Sequence, residues 1–408
     1  MSQKKRAVLV QVVLLTGLLA ISAAAATVSS RPLNRLSKSK SQSVAESSRA
    51  RKRISSLRHS RRVVRKSKPR KMSRRLRRRR YYERFTASSF ATDQTVGDAT
   101  AGEDPVVRQA AIDALGNMNG TVVAIDPNSG RVLTMVNQKL ALSEGAEPCS
   151  TIKISVALAA LSENIVSKDT RVALGRRWSM DMTQALAHSN NAYFEALGRR
   201  LGFEKVSYYA HQFGLGELAG WNIPGEHLGV FPGEELDTRL GGVGKMCSFG
   251  ESISLTPLQL GALVSAIANS GTLYYLQHPT TPEEVASFEP RVKRYLDIAP
   301  LIPQLSPGMA AAVEYGTARS VRWSFSEEQI LGKTGTCSNN GTRLGWFASY
   351  ANTNSGRIVV VVFLQGGRPT FGPKAAEIAG HMYRNLYDRS FFAGKTPVPE
   401  RQAGGVSQ

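Results

Sequence analysis

The positive charge of this chain is gathered into one segment, and that segregation limits what can fold. Residues 31–84 hold 23 Lys and Arg, from Arg31 to Arg84, against only Glu46 and Glu83. Lys4, Lys5 and Arg6 add three more, so 27 basic residues face 29 acidic ones from position 85 onward, although the whole chain carries a formal charge of +22. A stretch this basic, rich in Ser and Arg and poor in aromatics, cannot bury enough apolar surface to offset its chain entropy, and 31–84 reads as a disordered linker. A core must come from the nearly neutral remainder, about 300 residues, enough for one large domain or two small ones.

The N-terminus decides what the basic linker can meet. Lys4, Lys5 and Arg6 precede an apolar run from Ala7 to Ala26 broken only by Gln11, Thr16, Gly17 and Ser22, so residues 1–30 read as a targeting segment and the chain as exported. The run is long enough for an uncleaved membrane anchor, whereas the Ala23–Ala26 cluster suits cleavage as a signal peptide; both readings stand. The expected location is the cell envelope, either anchored in the inner membrane facing outward or secreted. An exported basic tail meets anionic wall polymer or lipid headgroups, and no nucleic-acid partner is expected.

Three cysteines, Cys149, Cys247 and Cys337, are too few and too scattered for a disulfide framework or a zinc site, and no metal or cofactor is expected. Gly332, Lys333 and Thr334 resemble the end of a phosphate-binding loop, but its first glycine would fall at Glu327, and Gln329–Leu331 lead in as a strand does. Lys333, Thr334, Gly335 and Thr336 therefore belong on a β-strand, with Ser338–Gly341 as the hairpin turn and 344–351 returning.

Other elements follow from periodicity. Residues 121–137 form a hairpin around Asp126–Gly130, and 150–164 a buried helix beginning near Ser150. Helix over 182–202 is interrupted at Ser189, Asn190 and Asn191, which favour turns. Further helices are predicted at 203–213, 256–270 (Pro257 in its first turn), 307–318 and 373–388, and a strong strand at 357–365. Strands at both ends of a helical middle imply an α+β fold, an antiparallel five-stranded sheet flanked by helices with an all-helical subdomain. The expected division is 85–118 as a lead-in, 119–390 as the folded domain and 391–408 as a flexible tail.

Three elements then stand in order: Ser150-Thr151-Ile152-Lys153, Ser189-Asn190-Asn191 and Lys333-Thr334-Gly335-Thr336. Each is weak alone, since Ser37–Lys40 matches the first with no fold around it; together, on a helix, a turn and a strand, they specify acyl-serine chemistry. Ser150 and Lys153 share a helix face, so the amine overlies the hydroxyl. A serine needs an adjacent base, and a lysine is one only if burial or a second cation, here Lys333, lowers its pKa. Ser189 can bridge the two ammonium groups, Asn191 can hold a substrate backbone group, and Thr334 and Thr336 beside Lys333 suit a terminal carboxylate. The N–H groups of Ser150 and Thr336 can face an oxyanion. His188 reads as a surface or core histidine, and Glu251 and Glu314 carry no catalytic assignment.

On these motifs the chain resembles the transpeptidase domain of the penicillin-binding proteins. "GTVVAIDPNSGRVLTMV" looks like that family's first hairpin, "EPCSTIK" is similar to its Glu-Pro-Gly-Ser-Thr-Phe-Lys, and "FGESISLTPLQLGALVSAIANSG" resembles its segment before the last motif. The resemblance covers roughly 119–390. It implies acylation of Ser150 by the D-Ala-D-Ala end of a peptidoglycan stem peptide, release of D-Ala, transfer to a neighbouring amine or to water, and acylation by β-lactams. A serine β-lactamase shares the motifs but needs a deacylating base, and a catalytically silent envelope scaffold has no physical reason to keep every site residue.

Departures from the family pattern are also legible. The interval 85–118 is too short for a large N-terminal domain, no glycosyltransferase domain is expected, and the Ser150–Ser189 spacing implies a trimmed helical subdomain. Cys149 stands where the family has glycine, and with Cys337 it should flank the cleft, either as two buried thiols or as a redox-sensitive pair.

Overall fold

A computed structural model describes residues 84–353 and 356–392. The expected targeting segment, nearly all of the basic linker and most of the C-terminal tail lie outside these residues. Among the described residues no helix is long and apolar enough to cross a membrane.

In chain order, helix α1 (Pro105–Leu115) precedes strands β1 (Gly120–Ile125) and β2 (Val132–Val136), and a short α2 (Gln138–Ala141) leads to a 3-10 turn, Cys149–Ile152, that runs into α3 (Lys153–Ser162). Strands β3 (Val172–Gly175) and β4 (Trp178–Met180) form a small hairpin before α4 (Met182–Ala187), α5 (Asn191–Leu201), α6 (Phe203–Gln212), α7 (Gly242–Phe249) and α8 (Pro257–Ala268). A second small hairpin, β5 (Thr272–Tyr274) with β6 (Val292–Tyr295), encloses α9 (Pro282–Ala286). Helix α10 (Ile302–Glu314), strands β7 (Gln329–Asn339), β8 (Thr342–Thr353) and β9 (Gly356–Gly366), and α11 (Gly372–Asp388) complete the order.

The main sheet has five strands in the order β2-β1-β9-β8-β7, with β1–β2, β1–β9, β8–β9 and β7–β8 antiparallel. Its central strand explains the unbroken apolar run of residues 358–364. Side chains alternate across a strand, so Val359, Val361 and Phe363 enter the core that holds α3, α5 and α8, while Val360, Val362 and Leu364 enter the core with α1 and α11. Both faces are covered, and a polar residue on either would be buried without a partner. Among the described residues strand β7 ends the sheet, and one side of the Lys333–Thr336 segment has no partner strand.

Helix α8 is buried on every side, as its uniformly apolar sequence requires, and it starts where Thr256 and Gln259 form a capping box ahead of Pro257. Helix α10 begins five residues earlier than periodicity implies and ends at Glu314. Pro303 fits its first turn, Pro307 is accommodated inside it, and Tyr315–Thr317 turn away toward the end of α4, where the Thr317 N–H donates to the Ala187 carbonyl at 3.0 Å.

The lead-in is woven into the fold. Helix α1 packs in the same core as α11, and Glu103 just before it is shielded from solvent. The Glu103 carboxylate accepts hydrogen bonds from Arg108 (2.7 Å), the Thr134 hydroxyl (2.7 Å) and the Met135 N–H (2.9 Å), and it contacts His278 Nε2 at 2.9 Å. These bonds hold its pKa below the ordinary carboxylate value against the opposing effect of burial.

Candidate active site

Ser150 sits on the 3-10 turn that opens α3, and Lys153 is the first residue of the α-helix proper. One turn of helix separates them, so the Lys153 Nζ donates to Ser150 Oγ at 2.8 Å. The same amine lies 3.0 Å from the Ser189 carbonyl, 3.1 Å from Ser189 Oγ and 2.6 Å from Asn191 Oδ1. Lys153 is fully buried, as is Lys333.

Burial, and then the charge of Lys333, pull the Lys153 pKa well below its ordinary value, with only Glu195 opposing. Burial alone brings Lys333 down to about 7. Two lysines packed into one apolar region cannot both hold protons cheaply, which prepares Lys153 to be a neutral base.

Ser189 and Asn191 reach Lys153 because the chain breaks between α4 and α5. Helix α4 ends at Ala187 with His188 as its cap, Ser189 takes a left-handed backbone (φ 54°), and Asn190 caps α5 by accepting from the Tyr193 N–H at 2.9 Å. Three residues that disfavour helix thus turn the chain at the lysine. His188 points to solvent beside the Tyr315 ring.

Lys333, Gly335 and Cys337 alternate on the face of β7 that meets the Ser150 turn. A Cβ at Gly335 would lie 2.8 Å from the Pro148 carbonyl and 3.3 Å from Cys149 Cβ, so glycine is what lets the strand approach. Lys333 Nζ donates to the Thr334 carbonyl (3.0 Å); among the described residues no bond joins it to Ser189, so the expected bridge is made to Lys153 only. The Thr334 hydroxyl is paired with Thr317 Oγ1 at 2.6 Å, and Thr336 Oγ1 accepts from the Gly372 N–H at 2.7 Å, while among the described residues its O–H meets no acceptor.

Cys149 and Cys337 are bonded as a disulfide, with their Cα atoms 5.6 Å apart. Of the two readings offered by the sequence, buried thiols are replaced by a covalent pair. Cys149 holds a left-handed backbone (φ 50°), the conformation that glycine adopts most easily, so the bond anchors a residue in an unfavourable local geometry.

Beside this cluster opens a cleft of about 810 Å³, bounded by Thr336–Asn339 of β7 on one side and by Glu147, Lys245 and the 249–254 loop on the other. Periodicity and motif reading missed three of the groups gathered here. Thr317 belongs to a turn read as helix, and Glu147 and Glu251 are adjacent to recognised motifs but 104 residues apart in sequence, so their approach is a product of the fold alone.

Comparison with known proteins agrees with this geometry. Residues 120–387 match the family described as Penicillin binding protein transpeptidase domain. The chain is 29% identical over 317 residues to Stage V sporulation protein D of Bacillus subtilis, covering 64% of this chain and 48% of that protein. It is 24% identical over 344 residues to the Peptidoglycan D,D-transpeptidase MrdA of Acinetobacter baumannii, covering 66% and 51%. It thus spans about half the length of these relatives. A similar fold occurs in the crystal structure of Pseudomonas aeruginosa PBP2 in complex with WCK 5153, with a TM-score of 0.58 at 22% identity over 74% of this chain and 81% of that one. The D,D-transpeptidase domain of a peptidoglycan glycosyltransferase from Eggerthella lenta gives 0.55 at 19% identity, over 70% and 82%.

Proposed function

The chain belongs to the penicillin-binding protein transpeptidase family, and from that premise we propose that it is an acyl-serine D,D-transpeptidase that cross-links peptidoglycan stem peptides. The observation that carries this reading is the 2.8 Å contact between Lys153 Nζ and Ser150 Oγ at a fully buried lysine. Neutral Lys153 takes the Ser150 proton as Oγ attacks the carbonyl of the penultimate D-Ala. The N–H groups of Ser150 and Thr336 face the developing oxyanion. Collapse passes the proton from Lys153 through Ser189 to the leaving D-Ala nitrogen and leaves an ester on Ser150.

The substrate lies extended along β7, whose outer edge offers backbone N–H and C=O groups to a peptide. Asn191 holds a substrate backbone group, and Lys333 with the Thr334 and Thr336 hydroxyls receives the terminal carboxylate across Gly335. Transfer of the acyl group to an amine completes the cross-link, and transfer to water is carboxypeptidase action. β-Lactams acylate the same serine. We further propose that the protein works in the cell envelope, held to anionic wall polymer or membrane by residues 31–84.

The test is a time course of the full chain with a fluorescent penicillin, beside Ser150→Ala, read on a denaturing gel. A lasting adduct that the variant loses supports the transpeptidase. A rapidly fading adduct supports a β-lactamase, and no adduct on the folded protein leaves a scaffold. Equal salt-dependent sedimentation of cell envelopes with chains carrying or lacking residues 31–84 would remove the adhesive role.

A further inference from the structure

The cleft beside the nucleophile holds a carboxyl group without a counter-charge. Glu147 lies three residues before Ser150, and its backbone carbonyl is pinned by the Trp346 Nε1 at 2.9 Å. Its side chain lines the cleft opposite Thr336 and Ser338 of β7. It is half-buried, and among the described residues its carboxylate makes no hydrogen bond or ion pair.

The groups that face it sharpen the anomaly. Glu251, on the 249–254 loop of the same wall, is the charge that acts on it. Lys245 also lines the cleft, but its ammonium sits over the Phe249 ring, 4.1 Å from the centroid, rather than on either carboxylate. Burial first, and then Glu251, push the Glu147 carboxyl up to about 7. Half-buried Glu147 and exposed Glu251, neither of them bonded to Lys245 among the described residues, leave a place that a positive ligand fills and a neutral or anionic one does not.

We propose that Glu147, supported by Glu251, receives the protonated acceptor amine of the second stem peptide and takes its proton. This rests on the transpeptidase reading and assigns the half of that reaction which the Ser150–Lys153–Ser189 cluster leaves open. The acceptor arrives as R–NH3+, and Glu147 carboxylate removes one proton to give R–NH2 and a neutral carboxyl. The amine nitrogen attacks the Ser150 ester carbonyl, its second proton passes to neutral Lys153, and the C–O bond breaks as Ser150 Oγ regains that proton. The products are the new amide and free Ser150, and Glu147 returns its proton to water. Water carries no charge to be recognised, and Lys153 takes the proton of an attacking water as it takes the amine's second proton, so hydrolysis of the same ester does not need Glu147.

The experiment uses the full chain with a peptide ending in D-Ala-D-Ala as donor, an added amine as acceptor, and fluorescent penicillin as a separate measure of acylation. Glu147→Gln is expected to lower the ratio of transfer to hydrolysis at least tenfold while penicillin acylation stays within about twofold. Glu147→Asp should recover part of the ratio, and Glu251→Gln should raise the acceptor concentration needed for half-maximal transfer. An unchanged ratio in Glu147→Gln overturns the inference, as does a matched loss of transfer, hydrolysis and acylation, which would make Glu147 a support of the Ser150 turn. Failure of the unaltered chain to acylate at all overturns the transpeptidase reading and this inference with it.

Discussion

Cys149 and Cys337 join, across 188 residues of sequence, the residue before Ser150 to the residue after Thr336. The nucleophile turn and the substrate strand are therefore one covalent unit. Reduction, or the double change Cys149→Ala with Cys337→Ala, is expected to lower stability by about 2–4 kcal/mol, because the bond closes a long loop in the unfolded chain. Acylation by penicillin should slow as well. Denaturant melts with and without a dithiol measure the first effect, and label uptake the second.

Gly335 offers a sharper steric test. Alanine there sets a Cβ 2.8 Å from the Pro148 carbonyl, a backbone atom that cannot swing aside. Gly335→Ala should displace β7 from the Ser150 turn, reducing acylation at least tenfold at a stability cost of about 1–3 kcal/mol. Thermal melting beside acylation rates separates the two.

The two lysines predict a pH effect with a definite sign. The charge of Lys333 depresses the Lys153 pKa, so Lys333→Met should raise it and move the acid limb of the acylation profile to higher pH. The contribution exists only while Lys333 is charged, below about 7. Both folded-state values lie beneath the unfolded one, so the unfolded chain binds more protons between them, and these two groups make stability rise with pH in that window. Rates and melts between about pH 6 and 9 check both statements.

Glu103 ties the lead-in to the sheet. Its folded-state pKa is depressed, so its contribution is complete above the unfolded value and is lost as pH falls through the folded one. Glu103→Gln removes one of the two carboxylates that Arg108 pairs with, leaving Asp98 at 2.9 Å, and should cost about 1–3 kcal/mol. Chemical denaturation at neutral and acidic pH tests the size and the sign.

Much of this was readable because the signal was local. Ser150 and Lys153 share one helical turn, Ser189–Asn191 resist helix, and Gln329–Leu331 lead into Lys333–Thr336 as a strand does, so the motifs declared their elements. The five-stranded sheet followed from β-rich segments at the two ends. What stayed hidden depends on distant pairing. The small β3–β4 and β5–β6 hairpins are too short to show a period, and α10 starts at Ile302, five residues before the expected 307, with Pro303 in its first turn and Pro307 inside it. The Cys149–Cys337 bond is one of the two readings that the sequence leaves open, whereas the Thr317–Thr334 contact and the approach of Glu147 and Glu251 exist only once the strand lies against the turn.

The most direct measurement is the intact mass of the full chain after exposure to penicillin, followed by fragmentation of the modified peptide. The account predicts a single added penicilloyl group on Ser150, absent from Ser150→Ala and greatly slowed in Lys153→Ala. A group on another residue, or none on a protein that melts cooperatively, would contradict it.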